Sequence, residues 1–182
     1  VLHVYAACSP ARHLSQRRRS CSGHTDIVRF LVRIDETRVA TAGDDSVAII
    51  WHTDTVRQGG ILKGHTRPIT SMIVLPGRLD FSQQPQLATG SKDKSIKVWN
   101  MEDATIQASL SEADHSILCL LYLGNGLFCS AGTGICVWDL NGKLVSKYQS
   151  SVPDAEDIQT VILVSPGRIV ASSNEKTLVV YD

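Results

Sequence analysis

Gly90-Ser91-Lys92-Asp93-Lys94-Ser95-Ile96-Lys97-Val98-Trp99-Asn100 is the stretch whose reading decides the fold. Its first six residues are small or polar and make a tight turn. Ile96 and Val98 then alternate with a polar neighbour and run into Trp99, the pattern of a short strand. Upstream stand Gly64-His65, followed by Ile69. The same outline of Gly-His pair, apolar strand, small-residue strand, Asp-bearing turn and Trp-ended strand fits the chain four times, with falling fidelity. Repetition at a period of roughly 40 residues means one supersecondary unit stacked on copies of itself.

The first repeat opens at Gly23-His24 and places strands at Ile27–Val32, Val39–Ala42 and Val47–Trp51, with a fourth ending at Ile61-Leu62. The second opens at Gly64-His65 and reads Ile69–Leu75, Leu87–Gly90, Ile96–Trp99 and Thr105–Leu110; Pro76–Gln86 is a long polar loop. The third replaces Gly-His with Asp114-His115, and the fourth, with Ile158–Val164, has lost the pair. Repeat boundaries fall near 23–63, 64–113, 114–156 and 157–182, and residues 1–22 read as an irregular basic segment. The residues closing each third strand are Trp51, Trp99, Trp138 and Tyr181, spaced by 48, 39 and 43 residues. Near-continuous apolar strands suit sheets packed on both faces. No helical period is evident.

Counting back from each Trp gives a recurring polar set: His24, Thr41, Asp45 and Trp51 in the first repeat, His65, Thr89, Asp93 and Trp99 in the second. A buried His can donate one ring N–H to the turn Asp and accept from the Thr hydroxyl, which in turn accepts from the indole N–H. Such a chain ties three strands to the preceding loop. Ser/Thr, His and Asp also compose hydrolytic triads. Here the set recurs in each repeat and ends on Trp instead of an exposed nucleophile, so the structural reading prevails and no catalytic residue is assigned. The third repeat keeps His115, Ser130 and Trp138 without a turn Asp; the fourth has Glu175 in the Asp place, Tyr181 in the Trp place and no His.

The whole chain of 182 residues is 43% apolar and 20% charged, with a formal net charge of zero. Residues 1–22 carry Arg12, Arg17, Arg18 and Arg19 and no acid, which leaves the rest acidic by four charges and argues against nucleic acid as the main partner. Five cysteines, none at CxxC spacing, lie mostly inside apolar strand patterns and read as reduced, small buried hydrophobes. No phosphate-binding loop, metal-ligand cluster or membrane-length apolar run is present in the sequence, and no cofactor or metal is expected.

On these residues the chain resembles the WD-repeat β-propeller family over residues 23–182. The resemblance implies an all-β fold of about four blades, an incomplete and open propeller, and a non-catalytic role. Its partners would sit at the end where the Gly-His loops and the turns before the Trp strands converge. Asp26, Asp44, Arg67, Lys92 and Lys94 are the candidate partner contacts there. His24–Val32, Ala42–Val47 and Ile135–Trp138 resemble a narrower group within that family. That likeness implies a cytoplasmic subunit of a complex with two DENN-domain proteins, acting in autophagy and at the lysosomal surface. Two other readings compete: a nuclear or chromatin adaptor using the basic first 22 residues, and a propeller enzyme, which would need polar groups converging on inner strands that read as apolar.

Overall fold

Short β-branched and aromatic runs separated by Gly, Asp, Asn and Ser turns leave the backbone one economical solution, the antiparallel meander. The computed structural model describes residues 2–6, 15–77, 84–149, 157–173 and 178–181. Its strands are β1 (Leu2–Ala6), β2 (Ser15–Cys21), β3 (Val28–Arg33), β4 (Arg38–Gly43), β5 (Val47–His52), β6 (Arg57–Lys63), β7 (Ile69–Leu75), β8 (Gln86–Ser91) and β9 (Ile96–Asn100). They continue as β10 (Thr105–Leu110), β11 (Cys119–Gly124), β12 (Leu127–Ala131), β13 (Gly134–Asp139), β14 (Leu144–Gln149), β15 (Ile158–Ser165), β16 (Arg168–Ser173) and β17 (Leu178–Tyr181). Among the described residues there is no helix.

Three four-stranded sheets follow in chain order, β3 to β6, β7 to β10 and β11 to β14, each strand paired antiparallel with its sequence neighbour. A three-stranded sheet, β15 to β17, comes last. The first strands of the four sheets pack in succession, β3 on β7, β7 on β11 and β11 on β15, so the sheets are blades arranged around a common centre. Residues 1–22, expected to be irregular, instead contain the hairpin β1–β2. The cause lies in Leu2, Val4 and Tyr5, strand formers that an inventory of arginines passes over.

Apolar seams hold neighbouring blades together. Ile34, Ala40, Ala42, Ile50 and Leu62 of the first blade meet Ile69, Met72, Leu87 and Trp99 of the second. Leu75, Ala88, Ile96 and Val98 meet Ile117, Leu120, Phe128 and Trp138 at the next seam. Cys129, Ala131 and Ile135 meet Ile158, Val161, Ile169 and Ala171 at the third. Small residues in the second strand of each blade let the facing sheet approach. A Cβ at Gly90 would run into the side chain of Ile117 in the next blade. Trp51, Trp99 and Trp138 are all buried. Each such side chain removes roughly 150–250 Å² from water, an upper estimate of about 4–6 kcal/mol.

The two ends of the arc differ from its interior. On β3, Leu31 is 60% exposed, and beside it Ile27 is 57% exposed. At the far end Ile162, Val164, Leu178 and Val180 are also more than half exposed.

Candidate functional site

Register, not residue count, builds the repeated polar set. Thr41 lies opposite Ile49 and Val39 opposite Trp51, so Thr41 and Trp51 share one face of the sheet as diagonal neighbours. Trp51 Nε1–H donates to Thr41 Oγ1 at 2.7 Å, and the hydroxyl reaches His24 Nε2 at 2.7 Å. His24 Nδ1 stands 2.7 Å from Asp45 Oδ2, which also accepts from the Thr25 N–H. With the hydroxyl donating to Nε2, the proton on the ring sits on Nδ1 and faces the carboxylate.

The second blade repeats this geometry. Thr89 lies opposite Lys97 and Leu87 opposite Trp99. Trp99 Nε1–H donates to Thr89 Oγ1 at 2.8 Å, His65 Nε2 meets the same oxygen at 2.8 Å, and His65 Nδ1 meets Asp93 Oδ2 at 2.8 Å. Asp93 also accepts from the Ser95 hydroxyl at 2.6 Å and the Thr66 N–H at 3.0 Å. Partial burial works against its charge, but those donors together with His65 outweigh it and hold the Asp93 carboxyl at about 2. Burial pulls the His65 imidazole below its ordinary range against the raising effect of Asp93.

In the third blade Ser130 lies opposite Cys136 and Phe128 opposite Trp138, the same diagonal relation. Trp138 Nε1–H donates to Ser130 Oγ at 2.9 Å. The sequence separation is eight instead of ten because the turn at Gly132-Thr133 is shorter by two residues, while the pairing is unchanged. His115 Nε2, however, is buried without a hydrogen-bond partner among the described residues. No turn carboxylate pulls the ring toward Ser130, and Gly132 packs directly against His115. Burial again lowers the imidazole from its ordinary value, with Lys147 adding to the effect. In the fourth blade Ala171, opposite Val179, takes the place of the hydroxyl, so the position diagonal to Tyr181 carries none. Glu175 lies outside the described residues.

The loops before the inner strands and the turns before the Trp strands share one end of the arc, as the His–Asp contacts require. There a central depression of about 640 Å³ is lined by all four blades, with Asp26, Arg29, Asp44, Lys92, Ser116 and Asp157 supplying most of its polar groups. Of the candidate contacts, Asp26, Asp44 and Lys92 line it; Arg67 and Lys94 are exposed in the adjoining loop and turn. Asp44 is not open to a partner on its own. Arg29 clamps it with Nε at 2.7 Å and a terminal nitrogen at 2.6 Å, and this fork holds the carboxyl below its usual range. Arg29 escaped the sequence reading. Its position beside Val28, which pairs with Gly43, is the register signal that would have found it. Lys92 and Arg67 hold no ion pair among the described residues, and Ser91 Oγ–H donating to the Arg67 carbonyl at 2.9 Å fixes the loop beneath them.

Cys119, Cys129 and Cys136 lie unlinked on β11, β12 and β13. Burial pushes each thiol up, Cys129 to about 12, which makes them poor nucleophiles. No helix among the described residues is long and apolar enough to cross a membrane.

Four blades radiating from a shared centre, two of them bound by a complete His–Asp–Thr–Trp chain, define a WD-repeat β-propeller, a class of generally non-catalytic scaffolds. Residues 13–182 match the sequence model of the WDR41 β-propeller, and the chain belongs to that family. It is 30% identical to WD repeat-containing protein 41 of Homo sapiens over 158 residues, which are 86% of this chain and 34% of the relative. Identity to the Mus musculus protein of that name is 31% over 160 residues, 87% of this chain and 34% of the relative. A more distant likeness, 26% over 163 residues, joins 81% of the chain to 18% of the transcriptional corepressor LEUNIG_HOMOLOG of Arabidopsis thaliana. The chain thus spans about a third of the length of the two most similar of these relatives.

Proposed function

We propose that this arc is a non-catalytic platform that holds other proteins at the end where the Gly-His loops and tight turns meet. The observation that carries the reading is the division of polar groups between two tasks. His24, Thr41, Asp45, His65, Thr89 and Asp93 are committed to one another and to the Trp strands. Around the central depression Arg29 and Asp44 hold each other, but Lys92 and the neighbouring Arg67 present cations that lack an ion pair among the described residues. Exposed cations at a concave, mixed-charge surface fix orientation and partner choice more than they add affinity.

By its likeness to WD repeat-containing protein 41, the platform serves as one subunit of a complex with two DENN-domain proteins. In that reading it is cytoplasmic, reaches the lysosomal surface through those partners and takes part in autophagy. Affinity-tagged protein carrying Arg67→Glu and Lys92→Glu together tests the face. The double variant is expected to lose capture of the two DENN-domain proteins while its thermal midpoint stays within a degree or two of the parent. Unchanged capture removes this face from the proposal.

A further inference from the structure

Five cations gather at the loop end of the second blade. Lys63 ends β6, Arg67 lies in the loop before β7, Lys92 and Lys94 flank Asp93 in the turn after β8, and Lys97 lies on β9. The first four are exposed, and Lys97 is half-buried with its Nζ donating to Ser109 Oγ at 3.1 Å. A Cβ at Gly64 would lie 3.4 Å from Lys97 Cδ, which sets the strand cation against the loop that Lys63 enters. Within residues 63–68 and 91–97 the one acid is Asp93, held by His65, the Thr66 N–H and the Ser95 hydroxyl.

The repeat itself does not require these charges. At the same places in the first blade, counted from His24 and Asp45, stand Ser22, Asp26, Asp44, Ser46 and Ile49. That blade builds the same His–Asp–Thr–Trp chain with two acids and no base at those five places. The flanking carboxylates have partners of their own, Asp44 in the Arg29 fork and Asp114 on Lys147 at 2.9 Å. Arg29 and Lys147 do most to lower those two carboxyls, and Lys92 and Lys94 add smaller pulls. None of the five cations has an ion pair among the described residues. Beneath them the backbone is fixed: Ser91 Oγ–H donates to the Arg67 carbonyl at 2.9 Å and the Lys92 N–H to that of Pro68 at 3.1 Å. Free charges on a fixed backbone lower the ordering cost of meeting a charged partner.

We propose that this cluster binds an extended acidic segment of a partner protein, a short run of Asp or Glu, a choice of chemistry that rests on the platform reading above. Four strands about 4.8 Å apart make a blade end roughly 15 Å wide, the span of about four or five extended residues. A nucleic acid or an anionic membrane matches the surface less well. Asp26 and Asp44 stand on the first-blade side, Asp114 on the third and Asp157 across the depression, so a longer polyanion would run onto carboxylates. A short acidic peptide fits between them.

A labelled peptide of five glutamates and its five-glutamine counterpart, titrated with the full chain and followed by fluorescence polarisation, supply the test. The glutamate peptide is expected to bind in low salt and to weaken as salt rises, and the glutamine peptide not to bind. Lys63→Ser, Lys94→Ser and Lys97→Ile together install the first blade's residues at those places. Ser46 already holds the left-handed backbone that Lys94 adopts, at a φ of 63° against 69°. The triple variant is expected to lose about tenfold in affinity at an unchanged thermal midpoint. Lys63→Ser with Lys94→Ser, which leaves the half-buried Lys97 in place, loses about threefold. Equal binding of the two peptides, binding of neither, or unchanged affinity in the double variant would overturn the proposal. So would a single-stranded oligonucleotide or phosphatidylserine vesicles binding more tightly than the peptide through the same three lysines. Arg67 and Lys92 are untouched in these variants, which separates the two proposals. If the peptide fails while Arg67→Glu with Lys92→Glu still abolishes capture, the acidic segment is wrong and the platform stands. If the peptide binds as expected while capture is unchanged, the acidic-segment site stands and the DENN-domain proteins do not dock on this face.

Discussion

Trp99 donates its indole N–H to Thr89 across two adjacent strands at 2.8 Å, and both residues are fully buried. The same hydroxyl is the partner of His65 Nε2, so one oxygen satisfies two rings at once. Thr89→Val preserves shape and removes that oxygen. It orphans a buried N–H and a buried ring nitrogen, each costing roughly 1–3 kcal/mol. The expected loss is about 2–4 kcal/mol, read as a lower urea midpoint at unchanged slope. Ser130→Ala, which orphans only the Trp138 N–H because His115 Nε2 already lacks a partner among the described residues, costs about 1–2 kcal/mol.

Close approach of the second and third blades depends on an absent side chain. A Cβ at Gly90 would strike Ile117 and come within 3.4 Å of Leu120 Cγ. Gly90→Ala therefore pushes the two sheets apart and costs about 1–3 kcal/mol, as overpacked cores do. The loss is expected in thermal unfolding. Gly124→Ala, a substitution with open space around its Cβ but a φ of +87°, fails through backbone strain instead and leaves the seam intact. Gly90→Ala raises hydrogen exchange along β8 and β11, and Gly124→Ala does so only at the β11–β12 turn.

How much of this was legible in the sequence depends on whether the signal was local. In the first two repeats Thr and Asp lie ten and six residues before Trp51 and Trp99, and the Gly-His pairs mark His24 and His65, so local signals assemble both sets. In the third repeat the distance shortens while the strand pairing stays, so Ser130 and Trp138 meet by register and not by count. That His115 Nε2 lacks a partner among the described residues, with Gly132 packed against the ring, is something no spacing encodes. Arg29 and Asp44 are fifteen residues apart and meet only because β3 and β4 pair as they do. β1 carries the L-x-V-Y of β17, a repeat signal masked by the arginines that follow it.

Asp35 organises the turn between β3 and β4. One carboxylate oxygen accepts from the N–H groups of Thr37 and Arg38, each at 2.8 Å, and the other from Arg38 Nε at 2.6 Å. Partial desolvation opposes ionisation, yet the Arg38 and Thr37 donors hold the carboxyl at about 2. Because the pair is largely solvated, Asp35→Ala is expected to cost only about 1 kcal/mol. The folded value lies below the unfolded one of 3.8, so the contribution is complete above that value and disappears as pH falls through about 2. Acid titration of the Asp35→Ala variant, followed by circular dichroism, should show a smaller loss in that window.

Milder acid acts through the histidines, and here the second and third blades part company. Burial lowers the imidazoles of both His65 and His115 from the ordinary 6.5. Between that value and each folded value the unfolded chain binds more protons than the native one, so stability rises with pH. It is therefore present in full above about 6.5 and declines as pH falls through the folded values. Replacing either ring by Leu removes that ring's share of the slope, but the accompanying cost differs. His65→Leu strips Asp93 of a hydrogen bond and leaves the Thr89 hydroxyl without its ring acceptor. His115→Leu gives up a ring nitrogen that already lacks a partner among the described residues. At pH 7.5 the first variant should lose about 2 kcal/mol or more and the second less than about 1 kcal/mol. Thermal midpoints measured from pH 7.5 to 5 should then fall less steeply for His115→Leu than for the parent, bringing the two closer together as the solution becomes more acidic. Parallel pH profiles for parent and His115→Leu would mean that the third blade takes no part in the acid response.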